Sequence, residues 1–339
     1  MSPKNSKIKV GISCGDPNGI GLEALADALS DERSMSDMIP VVFAPLELAE
    51  MTFGDVPWGE VTHVNLACEG RINLVNFEAQ DFKYTPGQAS KEAGAVAMRS
   101  LEMAVAHLDS SELDVLVTAP INKDTIRQAG FPFPGHTEYL ASKAEVDEVL
   151  MLLCCDGMRI GVVTGHIALK DVVSQLNSDR IMTKLQIMND SLTRDFDLNS
   201  PRIAVLGLNP HAGDNGMLGD EELRIIAPAI RTAQNEGLNV HGPIAADGFF
   251  GSGAFKNYDG VLAMYHDQGL APFKALSFGR GVNFTAGLSI IRTSPDHGTG
   301  FDIAGQGVAN GASFREALHL ACKIRHHRIN QSHQTSKPI

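Results

Sequence analysis

The chain predicts an α/β fold of two domains, with mostly parallel sheets covered by helices. Three observations predict it. Short apolar, β-branched runs alternate with helical patterns along the whole chain. Those runs are continuously apolar rather than alternating, the pattern of strands buried on both faces. And 339 residues at 43% hydrophobic bury a large core and favour more than one domain.

The elements follow in order. KVGIS reads as a first strand and GLEALADALS as the helix after it; PVVFAP and THVNL are the next strands. A long helix is expected around Gln88–Asp109, because Ala93, Val96, Ala97, Leu101, Ala104, Val105 and Leu108 recur at spacings of three and four. DVLVTAP, VLMLLCC and MRIGVVTG continue the strand pattern. Helices around Ser178–Asp195 and Glu221–Glu236 enclose the strand RIAVLGL, and GVLAMY precedes a last helix over Ser313–His327. His326, His327 and His333 read as a solvated helix end rather than a metal tract.

Composition excludes several classes. A net charge of −12 offers no basic stripe to neutralise phosphates, so no nucleic-acid partner is expected. No run reaches about 18 apolar residues, and the N-terminus has no apolar segment before a cleavage site, so a cytoplasmic protein with no membrane role is expected. The five cysteines (14, 68, 154, 155 and 322) lack CxxC spacing and read as reduced and unpaired.

Four segments set a histidine among glycines or small polar residues: PGHTE (His136), TGH (His166), NPHAGD (His211) and MYHDQ (His266). The last three follow strand-like runs, and side chains at strand ends converge on a crevice in α/β proteins. Neutral imidazoles so gathered suit a catalytic divalent metal, while each alone also suits an ordinary loop residue. Zinc, cobalt or nickel fits three imidazoles, and magnesium or manganese fits if Asp247 or Asp267 joins.

Prolines and Gly135 break the chain before His136 and Thr137, which open a helix. Free N–H groups there, with two side-chain donors, suit a phosphate; an ordinary capped helix fits the same pattern. Lys123, in TAPINK, could line the same crevice. Lys274 and Arg292 are single cations beside apolar residues, able to meet charged ends of a substrate. No G-x-G-x-x-G follows the first strand, so a standard dinucleotide-binding domain is disfavoured. The loop SPDHGTGFDIAGQG, with His297, Gly298, Thr299, Asp302 and Gly305, could instead wrap an adenosine, with Asp302 fixing the next helix start.

The segments SCGDPNGIGLE, TAPINK, PGHTEYLA, VTGHIALKDV, GLNPHAGDNGMLGDEE, YHDQGLAPFKAL and SPDHGTGFDIAGQG together resemble the 4-hydroxythreonine-4-phosphate dehydrogenase family of pyridoxal 5′-phosphate biosynthesis. The DHGTGFDIAGQG loop is also similar to the cofactor loop of isopropylmalate and isocitrate dehydrogenases, whose two-domain fold that family shares. The resemblance implies an active site in the interdomain cleft, with zinc, magnesium or cobalt held by His166, His211 and His266. It implies substrate contacts from His136, Thr137, Lys274, Asn283 and Arg292, and NAD or NADP on the 297–305 loop. It further implies a homodimer in which a partner subunit contributes the last histidine.

The reaction so implied is oxidation of a phosphorylated small molecule, 4-phosphooxy-L-threonine, at its C3 hydroxyl, followed by decarboxylation. Lys274 or Asp247 would be the base. Sugar-acid phosphates such as D-threonate or D-erythronate 4-phosphate are the alternative substrates. A phosphate acyltransferase or a phosphometabolite-binding protein is the alternative of another class. The expected domains are 1–128 with 281–330, carrying the cofactor loop, and 129–280, carrying the metal ligands and dimer contact; 331–339 form a frayed tail.

Overall fold

The computed structural model describes residues 7–335. Its strands, in chain order, are β1 (Ile8–Ser13), β2 (Met38–Phe43), β3 (Trp58–Glu60), β4 (Ile72–Val75), β5 (Val115–Thr118), β6 (Leu150–Cys155), β7 (Met158–Thr164), β8 (Ile203–Leu206), β9 (Val240–Ile244), β10 (Gly260–Tyr265), β11 (Val282–Ala286) and β12 (Arg292–Pro295). The chain divides into two compact units: residues up to Ala144 with Ser289–His326, and Glu145–Leu288 with the segment from His327.

In the first unit the strand order is β3-β4-β2-β1-β5-β12, and every neighbouring pair is parallel. Val10, Ile12, Val41, Val42, Val115, Leu116 and Val117 are fully buried, as continuous apolar runs in a parallel sheet require. The helix Lys91–Asp109 starts where the Ser90 hydroxyl accepts the Ala93 N–H at 3.1 Å. Its buried Ser100 accepts the Cys14 N–H at 2.9 Å and donates to the Phe43 carbonyl at 2.6 Å, tying the ends of β1 and β2 together. Residues 129–144, including His136 and Thr137, belong to this unit.

THVNL is not a strand. Within it only Val64 is buried, and a single 3-10 turn, Val64–Leu66, is enough to bury it; β3 and β4 flank the turn. The long helix begins at Lys91 rather than Gln88, because Ser90 is its cap.

In the second unit the order is β11-β6-β7-β10-β8-β9. β6 runs antiparallel to both β11 and β7, while β7, β10, β8 and β9 are mutually parallel. Leu153, Ile160, Val162, Leu206, Val261, Phe249 and Phe273 form its core. Each such side chain, once buried, contributes about 1.5–3 kcal/mol. Gly269 lets the helix His266–Ser277 lie against the sheet: a Cβ there would stand 3.0 Å from Ile160 Cγ2 and 3.2 Å from Ala263 Cβ.

The expected helix over Glu221–Glu236 forms as a π turn, Glu222–Ile226, followed by an α-helix, Ala227–Asn235. The last helix runs Ala312–Thr335, so residues 331–335 of the expected tail are helical, and 336–339 lie outside the described residues, as does the side chain of His333. His327 is not simply solvated: its Nδ1 lies 2.9 Å from the Asp195 carbonyl. Beside it the fully buried Asp195 carboxylate accepts hydrogen bonds from Ser191, Arg194 and Arg328. All five cysteines are free, and burial pushes the Cys14, Cys154 and Cys322 thiols up to about 12. Among the described residues no helix is long and apolar enough to cross a membrane.

Candidate active site

In the second unit, β7 and β10 pair Thr164 with Tyr265, so the residues just beyond emerge side by side. The Thr164 hydroxyl donates to the Met264 carbonyl at 2.8 Å and ties the two strand ends. His166 and His266 follow, with ring centroids 5.1 Å apart. His266 opens its helix, and its Nδ1 lies 2.7 Å from Asp267 Oδ1, which leaves Nε2 for a ligand. A carboxylate behind an imidazole in this way fixes tautomer and orientation, as it does behind metal-bound histidines. The donor chemistry therefore fits a divalent cation.

His211 is presented differently. It lies in the turn Pro210–Gly216 after β8, where His211, Ala212, Gly213, Asp214 and Asn215 have φ of 52°, 53°, 83°, 42° and 55°. Gln268 links this region to the His266 helix: it accepts the Met264 N–H at 2.7 Å and donates to the Gly207 carbonyl at 2.5 Å. Among the described residues no three His, Cys, Asp or Glu side chains of the chain surround one point, so His211 does not join the His166–His266 pair as a closed triad. Asp247 is exposed on the helix Ala246–Gly251, after β9. Lys274 is exposed on the His266 helix, about 12 Å along its axis from His266. Asn283 lies on β11, with Oδ1 buried and no hydrogen-bond donor to it among the described residues.

The first unit holds a second cluster. Gly135 is the N-cap of the helix His136–Lys143, and no side chain caps its first N–H groups. Phe131, Phe133 and Tyr139 pack with ring centroids 5.3–5.6 Å apart and hold this turn in place. Arg292, on β12 and 3% exposed, donates to the Thr118 hydroxyl from Nε at 3.0 Å and from Nη2 at 2.6 Å. The same Nη2 lies 3.4 Å from His136 Nδ1. His136 Nε2 is buried with no hydrogen-bond partner among the described residues. Burial, then the charges of Arg292 and Lys123, push the His136 pKa well below its ordinary 6.5. Burial draws Arg292 down to about 10, so it stays a cation at neutral pH. Thr137 is half-buried in the helix's first turn. Lys123 comes close as well, with its Cε 3.7 Å from where a Cβ on Gly135 would stand.

The glycine-rich loop belongs to the same unit. The Thr299 carbonyl accepts the Ile20 N–H at 2.8 Å, and a Cβ on Gly19 would lie 2.6 Å from that oxygen. The Glu23 carboxylate accepts the N–H groups of Gly305 at 2.6 Å and Gly307 at 3.3 Å. Gly298 has nothing within 4 Å of a notional Cβ, and with Asp302 and Gly305 it is exposed, so a ligand can lie against the backbone. The loop thus fits a nucleotide. Asp302 does not start the following helix; Asn310 does, its Oδ1 accepting the Ala312 N–H at 2.8 Å. Sequence reasoning missed Glu23 as a support, although it closes the motif GDPNGIGLE. It also missed Thr118, whose hydroxyl function is invisible within the apolar run VLVT.

Mostly parallel α/β units with polar groups gathered at strand ends and helix starts are the architecture of many α/β enzymes. The sequence profile described as "Pyridoxal phosphate biosynthetic protein PdxA" matches residues 30–321, and the chain belongs to this family. A relative from Bacteroides thetaiotaomicron named 4-hydroxythreonine-4-phosphate dehydrogenase is 42% identical over 99% of this chain and 94% of its own. The crystal structure of 4-hydroxythreonine-4-phosphate dehydrogenase from Klebsiella pneumoniae matches at a TM-score of 0.84 and 36% identity, over 96% of this chain and 99% of that one. A terephthalate 1,2-cis-dihydrodiol dehydrogenase from Burkholderia xenovorans, 24% identical with a TM-score of 0.62 over 94% of this chain and 98% of that one, shares the fold.

Proposed function

We propose that the chain is an NAD(P)-dependent, divalent-metal-dependent oxidoreductase of pyridoxal 5′-phosphate biosynthesis. It oxidises the C3 hydroxyl of 4-phosphooxy-L-threonine, and the product loses CO2 to give 3-amino-2-oxopropyl phosphate. The observation that carries this reading is the buried His136–Arg292 pair at an uncapped helix start. It supplies a cation, a neutral N–H donor and free backbone N–H groups to a phosphate dianion. The family membership and the relatives' names supply the substrate.

Anchoring the phosphate at His136, Thr137 and Arg292 fixes the reacting carbon at a set distance and converts binding into orientation. Asn283 and Lys274 hold the amino-acid end of the substrate. Lys274 or Asp247 accepts the C3 hydroxyl proton as the C3 hydride leaves, and later returns a proton to C2 once the carboxylate departs as CO2. His166, His211 and His266 would hold the metal, which when bound lowers the hydroxyl pKa and polarises the ketone oxygen. His297, Gly298, Thr299, Asp302 and Gly305 would hold NAD(P)+, the hydride acceptor.

The proposal includes a homodimer in which a second copy completes the histidine set, since within one chain His166 and His266 lie together and no third ligand closes on them among the described residues. Leu169, Val173, Met217 and Leu223 support it: these large apolar side chains stand 72%, 49%, 82% and 55% exposed, close in sequence to His166 and His211.

The experiment is NAD(P)H formation with 4-phosphooxy-L-threonine and with D-threonate or D-erythronate 4-phosphate, each with and without EDTA. Turnover of the amino acid that EDTA abolishes is the expected result. Preference for the sugar acids would keep the chemistry and change the pathway. Turnover under full chelation would remove the metal from it.

A further inference from the structure

Glu222 is a buried carboxylate that the proposed chemistry does not use. It is 2% exposed and opens the π turn Glu222–Ile226. Its Oε1 accepts the N–H groups of Leu208 and Asn209, each at 2.7 Å, and its Oε2 accepts from Asn209 Nδ2 at 2.9 Å. Those two residues directly precede Pro210 and His211. The carboxylate fills a hollow that only glycines leave open: a Cβ on Gly213 would lie 2.7 Å from Oε2, and one on Gly207 would lie 3.1 Å from Oε1.

Beyond this anchor the backbone is unusual. His211, Ala212, Asp214 and Asn215 all carry a Cβ and all sit in the left-handed region, with φ of 52°, 53°, 42° and 55°. His211 and Ala212 are unfavourable there, Asp214 and Asn215 are tolerated there only as single residues, and a consecutive run persists only where surrounding structure over-determines it. The helix that bears Glu222 departs from α geometry at that point, and π turns of this kind recur at functional sites. Asn209 is held from a second side too, because its Nδ2 also donates to Glu221 Oε2 at 2.7 Å.

We infer that Glu222 is a positioning residue that clamps the left-handed turn and so presents the His211 imidazole for metal ligation. The inference rests on the proposed metal role of His211. Three N–H donors on one buried carboxylate hold the turn's entry rigidly, and the direction of the His211 side chain follows from that entry.

The test is Co2+ binding to the metal-free full-length protein, by chelator competition and by the Co2+ d–d absorption spectrum, alongside the thermal midpoint. E222A is expected to weaken binding about tenfold or more and to alter the spectrum. E222Q keeps an oxygen for the two backbone N–H groups and sets an amide against Asn209 Nδ2, so it should recover part of the affinity. Should E222A not fold, E222Q and N209A carry the same comparison. Affinity within twofold of wild type with an unchanged spectrum overturns the inference, whatever happens to the midpoint. H211A separates the two claims. If it binds Co2+ as wild type does, the metal role of His211 fails and the inference with it; if only H211A loses Co2+, the positioning role alone fails.

Discussion

The guanidinium of Arg292 lies 3.4 Å from Nδ1 of His136, a residue 156 positions away. A guanidinium only donates, so Nδ1 of the neutral ring accepts and the ring's proton resides on Nε2. The Thr118 hydroxyl accepts two further bonds from the same guanidinium and fixes its plane. A permanent cation and a neutral N–H donor are thereby set before any phosphate arrives, so little ordering remains to be done on binding.

Replacing Arg292 with Lys keeps the charge and loses the fork that grips Thr118. A charge-assisted hydrogen bond is worth about 1.5–3 kcal/mol, so KM for the phosphorylated substrate should rise about 10- to 100-fold. KM for NAD+ should change little. His136→Ala should act in the same direction. Steady-state kinetics with each substrate varied in turn checks this, and an equal rise in both KM values would remove these residues from the phosphate site.

His136 also sets a pH dependence. Its folded pKa lies below the ordinary 6.5, so the unfolded chain takes up the proton first as pH falls. Its contribution to stability is full above about pH 6.5 and is lost as pH drops toward the depressed folded value. The loss approaches about 1.4 kcal/mol per pH unit. Comparing urea midpoints at pH 7.5 and 5.5, wild type should lose about 1 kcal/mol more than His136→Gln. Parallel losses in the two proteins would contradict a buried neutral imidazole.

Asp195 is the structural counterpart. Burial works to raise its carboxyl, and hydrogen bonds from Arg194, Arg328 and Ser191 outweigh this and hold it below its ordinary 3.8. Its stabilisation is therefore present above about pH 3.8 and lost as pH falls through the lower folded value. Asp195→Asn leaves two guanidinium groups without their carboxylate and should cost about 3 kcal/mol at pH 7, read from urea unfolding. A change under about 0.5 kcal/mol, ordinary for surface positions, would show that the network adds nothing.

Gly19→Ala tests the glycine-rich loop. The new Cβ would meet the Thr299 carbonyl at 2.6 Å, and backbone on both sides has to yield. KM for NAD(P)+ should rise about tenfold, from a strain of about 1–3 kcal/mol, with KM for the phosphorylated substrate unchanged. An unaltered cofactor KM would place the dinucleotide elsewhere.

Much of the fold is legible in the sequence. KVGIS, DVLVTAP, MRIGVVTG, RIAVLGL and GVLAMY all form strands, because unbroken apolar β-branched runs have few other ways to be buried. β9, β11 and β12 are not legible. VHGPI carries a proline, VNFTA alternates as a strand can but over only five residues, and RTSP is almost wholly polar yet buried along its length. Such strands form because neighbours in the sheet accept them, not because of their own composition. THVNL misleads the other way, since one buried Val64 needs only a turn.

By itself the sequence determined the α/β class and the placing of His166, His211 and His266 after apolar runs that become β7, β8 and β10. Period and apolar continuity are local properties, and a strand carries whatever residue follows it to its own end. Only the tertiary structure decided which distant groups meet: His166 beside His266, Arg292 on Thr118 and facing His136, Glu222 beneath the turn that carries His211. Those contacts depend on strand order and register, which the chain settles through burial of its whole core, and no window of sequence contains that information.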